Sequence, residues 1–448
     1  QGMLTGVRQP SMTRCRACTL VAIVFALAPP ASAQSTAQIP LRFDFLTPGA
    51  RSLAMGGAFL GAADDATAAF SNPAGLARLR RIEISAEGRF RRTETSFLSG
   101  GRISGSITGR GLDTIAGPVY GMDVDDRFGP TFLSVVVPAG RVTWAVYRHE
   151  LARSDNAFQS DGVFERLTFA GVTTDENRDI PLAGRRQMAI DDYGGSVATS
   201  LTSRVSVGGG VSVAHLSLDS SFARLGLTSL YGVVDPTRVS ATAVQAAHDT
   251  AVAANAGGSW RASLRLTSGA AVRRGPAFTV TQEERVFDQD VNLVRAGRFK
   301  VPDVWGAGVE WRPAEAWRVL ADYDYVQYAQ LKADFLDFQA IASNRADRVR
   351  LDNGHEWHGG VEYQRLNGRV PLALRGGLWY DPDHVPRYVA AGTPDEEDVL
   401  LAATLPGGHH LVHYTFGLGV LVAGVEINGG ADVSSETNYA TMSAVFRF

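Results

Sequence analysis

Ile82-Glu83-Ile84-Ser85-Ala86-Glu87-Gly88-Arg89-Phe90-Arg91 alternates without a break. Ile82, Ile84, Ala86, Gly88 and Phe90 share one face, and Glu83, Ser85, Glu87, Arg89 and Arg91 share the other. Side chains of a strand repeat every two residues, so the stretch is one strand with an apolar and a charged face. Its length, about ten residues, is that of a tilted strand crossing a bilayer, apolar side out and polar side in.

The pattern recurs along the chain. Val205, Val207, Gly209, Val211 and Val213 form one such face, and Leu264, Leu266, Ser268, Ala270 and Val272 another. Trp305 to Trp311, Trp317 to Tyr325, Trp357 to Tyr363, Leu372 to Tyr380 and Tyr414 to Val422 repeat it, several with Trp or Tyr near an end, as an aromatic girdle requires. The last segment places Ala440, Met442, Ala444, Phe446 and Phe448 on one face and ends the chain on Phe448. It resembles the C-terminal signal read by bacterial barrel-assembly machinery, with Phe446 and Phe448 as its aromatic positions. Residues 82–448 accommodate about 14 such strands, giving an all-β, antiparallel transmembrane barrel. Polar insertions near 92–128, 153–187, 219–248, 274–300, 329–353 and 382–408 read as extracellular loops. Pro138-Ala139-Gly140, Arg312-Pro313-Ala314 and Ala423-Gly424 read as short turns on the other side.

Composition excludes other classes. The 448 residues are 45% hydrophobic and 20% charged, with a net charge of −3 and a mean hydropathy of −0.04. That excludes a bundle of membrane helices, which needs many ~20-residue apolar runs, and an intrinsically disordered chain. The lack of basic excess argues against nucleic acid as a partner. Forty-eight glycines without a collagen period suit a turn-rich β protein.

Residues 1–33 read as a secretory signal peptide. A basic segment from Met12 (with Met3 an upstream alternative start) leads into apolar Thr19 to Leu27, Pro29-Pro30 ends it, and Ala31-Ser32-Ala33 fits the cleavage rule. Cleavage removes Cys15 and Cys18, leaving no cysteine, which excludes a disulfide-stapled secreted domain. Residues 34–81 form a separate block rich in Ala and Gly. In it, Asp64-Asp65 read as a cap before a short helix at Ala66 to Phe70. Asn72 reads as a cap, with Pro73 in the first helical position, before a second short helix at Ala74 to Leu79. The expected organisation is therefore signal peptide 1–33, a small helical N-terminal plug 34–81, and barrel 82–448.

The plug block carries a resemblance. Gly49-Ala50-Arg51-Ser52-Leu53-Ala54-Met55-Gly56-Gly57-Ala58, Ala63-Asp64-Asp65-Ala66 and Asn72-Pro73-Ala74-Gly75-Leu76 resemble the plug of the FadL and TodX group of outer-membrane transporters for hydrophobic compounds. Val301-Pro302-Asp303-Val304-Trp305 and the segment from Arg375 to Pro386 are similar to segments of that family in the same order, so the likeness spans the mature chain. The resemblance implies a 14-stranded barrel in a Gram-negative-type outer membrane. Long-chain fatty acids or other hydrophobic small molecules would enter from outside, bind an apolar lumen site and leave sideways into the bilayer. It implies a hatch role for Asn72, Pro73 and Ala74, with Asp64 and Asp65 fixing the preceding turn; it maps no ligand-binding residue. Partners implied are the hydrophobic ligand, outer-membrane lipid, and the barrel-assembly machinery during biogenesis. The Gly-Gly-Ala…Asp-Asp-Ala…Asn-Pro-Ala-Gly block also resembles a related branch of partner-binding barrels in secretion or surface-assembly systems (PorV-like shuttles), which is the first alternative. A general diffusion pore is the second.

Other constellations read as structural. His409, His410 and His413 do not share a face as metal ligands would on a strand. Asp123, Asp125, Asp126 and the run Asp395-Glu396-Glu397-Asp398 read as solvated loop acids. Asp322 and Asp324 alternate with Tyr323 and Tyr325 in ordinary barrel fashion. No hydrolase, phosphate-binding or zinc-protease motif occurs, and neither enzymatic activity, cofactor nor metal is expected.

Overall fold

The computed structural model describes Phe43, Phe45 and residues 47–448, apart from 170, 180, 228–233, 288–290, 333–344 and 366–369. The expected signal peptide and the first residues of the plug lie outside the described residues.

Fourteen antiparallel strands form the wall: β1 (Glu83–Arg102), β2 (Gly117–Ala139), β3 (Val142–Ser160), β4 (Leu182–Ser200), β5 (Val205–Leu227), β6 (Val234–Arg261), β7 (Leu266–Arg274), β8 (Val304–Ala314), β9 (Trp317–Val326), β10 (Gly354–Arg365), β11 (Leu372–Asp381), β12 (Leu411–Val422), β13 (Val425–Val433) and β14 (Thr437–Arg447). Each pairs with the next. β14 returns to β1, from Glu83 opposite Arg447 to Thr93 opposite Thr437, so the barrel closes with no free edge. The expected transmembrane barrel is the observed fold. Among the described residues no helix is long and apolar enough to cross a membrane.

The wall alternates as its sequence does. In β1, Glu83, Ser85, Glu87 and Arg89 are buried inside. In β14, Tyr439, Thr441, Ser443 and Val445 are buried while Met442, Phe446 and Phe448 are exposed outside. Trp144, Trp260, Trp311 and Trp317 ring the end with the short turns, and Trp305, Trp357 and Tyr414 ring the other, all exposed. Ala423 and Gly424 both have positive φ, as the two-residue turn between β12 and β13 demands. The turn after β8 falls two residues later than expected, at Glu315-Ala316, because β8 bulges between Trp311 and Ala314.

The insertions depart from expectation. β7 to β14 are 9 to 12 residues long, but β1 to β6 run 19 to 28. Much of 92–128, 153–187 and 219–248, expected as loop, is ladder that extends past the apolar band. Beyond that band a strand needs no apolar face, so polar composition does not mark where pairing ends. Two hairpins, Val163–Phe169 with Val172–Asp179 and Ala277–Val286 with Val291–Lys300, sit on the same end, and the second pairs with upper β6. The acidic run caps a helix, α3 (Glu396–Thr404). Asp395 accepts from Asp398 N at 2.9 Å, and Arg345 pairs with Asp395 at 2.8 Å and Asp398 at 2.6 Å.

Candidate functional site

The site is the lumen, and the plug fills its lower part. The plug has α1 (Ala50–Leu53), α2 (Ala68–Ser71) and a 3-10 turn, Pro73–Arg78. Asn72 caps that turn, its Oδ1 accepting from Ala74 N at 3.3 Å with Pro73 in first position, as read from sequence; the turn is 3-10 where a helix was expected. Asn72 Nδ2 also donates to Leu60 O at 3.0 Å and, more weakly, to Gly258 O of β6 at 3.4 Å. Asp64 and Asp65 do not act as the expected pair of caps. The residue before α2 is Thr67, and Asp65 Oδ1 accepts from Thr67 N at 2.9 Å and Thr67 Oγ1 at 2.5 Å, a local turn. Asp64 instead joins Arg51 at 2.5 Å to Arg318 of β9 at 2.8 Å, tying plug to wall. Burial alone would raise the Asp64 carboxyl, but those two arginines outweigh it and hold it well below the usual carboxylate range.

Wall residues complete the seat. Asp322 Oδ2 accepts from Phe59 N at 2.5 Å and Leu60 N at 2.7 Å. Thr415 Oγ1 accepts from Gly56 N at 2.8 Å, and Glu87 accepts from Gly49 N. Glu362 meets Arg51 at 3.3 Å, Arg318 at 3.3 Å and Arg375 at 2.6 Å. From sequence Asp322 reads as ordinary barrel patterning and Thr415 and Glu362 carry no signal, since inward polar residues are ordinary in a barrel. Inward glycines were the available signal. A Cβ at Gly257 would lie 2.1 Å from Asn72 Oδ1, and one at Gly269 would lie 1.9 Å from Leu60 O. Here the plug rests on bare wall backbone.

Above the plug the inward faces turn apolar. In β5 the buried residues pass from Ser206 and Ser212 to Ala214, Leu216 and Leu218. These join Met188 and Ile190 of β4, Phe278 and Phe299 of the 277–300 hairpin, Val326, Tyr328 and the plug's Phe43 in one cluster.

The wall splits beside this cluster. β2 and β3 pair only from Phe132 opposite His149 to Ala139 opposite Val142, although both strands continue upward. Above that point β2 pairs with β1 alone and β3 with β4. Both strands bulge at the split, at Thr131 in β2 and at Leu151 in β3, and Pro130 lies where the ladder ends. Bulges bend strands, and proline suits an edge, so the residues present account for the separation. A cavity of about 430 Å³ opens there, lined by polar Arg91, Asp125, Arg148 and Glu150 and by apolar Leu151 and Met188. Met188 belongs to the lumen cluster as well. Higher up, carboxylates stand in for the missing backbone acceptors. Asp125 accepts from Asp155 N at 3.0 Å, and Asp123 accepts from Ala157 N at 3.4 Å and from the Asn156 side chain at 2.9 Å. Asp123 and Asp125 are thus seam residues and not solvated loop acids, whereas Asp126 pairs with Arg92 on the exposed side.

The three histidines near 410 diverge. His413 is buried against Asp432 at 2.8 Å and stacks on Trp379, His410 accepts from Asp383 N, and His409 is exposed.

No protein-family model matches the sequence, and no curated protein matches it. Solved structures do match. A FadL homologue from Pseudomonas aeruginosa aligns with TM-score 0.61 at 12% identity, over 92% of this chain and 100% of that one. The toluene transporter TodX from P. putida gives 0.55 at 14% identity, and TbuX from Ralstonia pickettii gives 0.54 at 14%. Each of these two covers 90% of this chain and 99% of its own. In fold, a closed 14-stranded barrel with an N-terminal plug in its lumen, the chain is of the FadL/TodX type.

Proposed function

We infer that this chain is a channel of a Gram-negative-type outer membrane that takes up hydrophobic small molecules. The observation that carries this reading is the apolar cluster above the plug, which runs to a split in the wall between β2 and β3. A water-filled pore has no use for Phe278, Phe299, Leu216 and Leu218 in its lumen. A ligand with an alkyl or aromatic body does, since each buried CH₂ is worth about 0.8 kcal/mol. The solved proteins of this fold include toluene transporters, which agrees with that class of ligand.

The ligand enters from the end carrying the long strands, binds in the cluster and leaves through the split into the bilayer, so its apolar body never meets bulk water. Asn72, Pro73 and Ala74 act as the hatch that closes the route straight down the barrel, with Asp64 and Asp65 holding the turn before it. Phe446 and Phe448 serve recognition by the barrel-assembly machinery, and lipid packs on the outer apolar band. Arg91, paired with Asp125, and Arg148, paired with Asp191, line the split, so a fatty-acid carboxylate meets a polar, charge-balanced station there that a plain hydrocarbon does not need.

The test extracts the protein gently from native membranes and identifies by mass spectrometry what comes with it, then measures uptake. A fatty acid or hydrocarbon at near-stoichiometric amount supports the channel and names its substrate class. A stoichiometric protein partner with no such ligand moves the reading to the secretion-shuttle alternative. Deletion of 72–74 is expected to change uptake of long-chain fatty acids or aromatic hydrocarbons, and unchanged uptake would reject the hatch role.

A further inference from the structure

β9 and β10 meet the plug turn at Gly56-Gly57 in an arrangement that transport does not require. His358 Nδ1 lies 2.7 Å from the Gly56 carbonyl oxygen. A carbonyl only accepts, so Nδ1 carries the proton and donates. In the neutral ring the other nitrogen, Nε2, then presents a lone pair. That nitrogen is buried with no hydrogen-bond partner, on a side chain 9% exposed. Glu356 Oε2 faces it at 3.6 Å, and His358, Glu356 and Asp324 bring one ligand-type atom each within 4.8 Å of one another. Of the three only Glu356 is a fully buried residue, and lone pairs aimed together in this way repel unless a cation lies among them, either a proton on Nε2 paired with Glu356 or a metal ion.

The surroundings are those that support metal ligands. A metal-bound imidazole characteristically donates its other N–H to a backbone carbonyl or carboxylate, and ligating carboxylates are themselves hydrogen-bonded. His358 does the first through Gly56. Glu356 does the second, its Oε1 accepting from the Tyr328 hydroxyl at 2.7 Å. Asp324 Oδ1 is buried without a partner, and the guanidinium of Arg273 stands 4.0 Å from Asp324 Oδ2. Room is left for the ring on the plug side, where a Cβ at Gly57 would lie 3.0 Å from His358 Nδ1.

We propose that Asp324, Glu356 and His358 bind one transition-metal dication of the zinc class, which fastens the plug turn Gly56-Gly57 to β9 and β10. One imidazole nitrogen and two carboxylate oxygens are a ligand set that zinc accepts, with a fourth position for water. The three atoms draw together to roughly 3.4 Å, the spacing of a tetrahedral site with ~2.1 Å bonds. Coordination at Nε2 polarises the ring and strengthens the Nδ1–H bond to Gly56, which is how the ion acts on the plug. This site stands apart from the identity of the transported molecule.

The experiment uses protein purified without a polyhistidine tag, stripped by chelator and titrated with zinc in a calorimeter, with bound metal counted by mass spectrometry. One zinc per chain is expected, weakened at least ~10-fold by Glu356→Gln and by Asp324→Asn, which preserve side-chain size. Zinc should also slow protease cutting of the plug in the unmodified protein and not in either variant. Failure of the unmodified protein to retain zinc overturns the proposal, with a proton then filling the place. So does zinc binding that survives both variants and disappears instead with His409→Ala and His410→Ala.

Discussion

Asn72 shows how one side chain serves two structures at once. It caps a plug turn and reaches a carbonyl elsewhere in the plug and, more weakly, a wall carbonyl, all while buried. Asn72→Ala leaves the Leu60 carbonyl without that donor, a loss of about 1–3 kcal/mol. The expected outcome is a barrel that still forms but whose plug is cut faster by protease. Asp64 carries the charge equivalent of the same bond. Its carboxyl is held below the ordinary range, so its pairing with Arg51 and Arg318 stabilises the seat above the unfolded carboxylate value of about 3.9. That contribution is lost as pH falls through the lowered folded value. Asp64's own share of plug protection, read as the difference between the unmodified protein and Asp64→Asn, should therefore stay constant from about pH 8 to about pH 5. Asp64→Asn should lower protection across that whole range, since it removes the carboxylate that ties Arg51 to Arg318, although Glu362 still meets both. A difference between the two proteins that collapses near pH 6 would refute the assignment.

At the scale of elements, β2 and β3 decide where the wall opens. The split follows from two bulges and a proline, and carboxylates bridge it above. Gly129 borders the cavity, and a Cβ there would meet nothing within 4 Å. Gly129→Phe should fold normally and slow ligand uptake by filling the exit; normal uptake with that ring in place would exclude this route. Gly257 tests the opposite geometry. Its Cβ would strike Asn72, so Gly257→Ala should unseat the plug turn while leaving the β5–β6–β7 ladder intact. Protease sensitivity of the plug, measured beside the heat stability of the barrel, separates the two effects.

For the whole molecule, closure is the governing constraint. β14 carries outward Phe446 and pairs with β1 to complete the wall, and Phe448 follows it, exposed. Removing Phe448 deletes an exposed ring outside the ladder, and the finished barrel should be nearly as stable as before. If that ring serves recognition during assembly, the amount of folded protein in the membrane should drop several-fold while the melting temperature of what does assemble stays the same. An equal drop in melting temperature would make the residue structural only.

The alternation from Ile82 to Arg91, and its repeats through Phe448, by itself determined the barrel. A strand's two faces are written in a period of two, and lipid outside with polar packing inside leaves a local trace in every strand. The Asn72-Pro73 cap was legible for the same reason, since both partners of a cap lie within a few residues. The extent of β1 to β6 was not legible, because a ladder beyond the bilayer needs no apolar face. Nor were the seats made by Asp322, Glu362 and Thr415, the split above Phe132, or the meeting of Asp324, Glu356 and His358. Each depends on which residues of separate strands, or of strand and plug, come to lie opposite one another. Register and bulges set that, and only the closed tertiary structure fixes them.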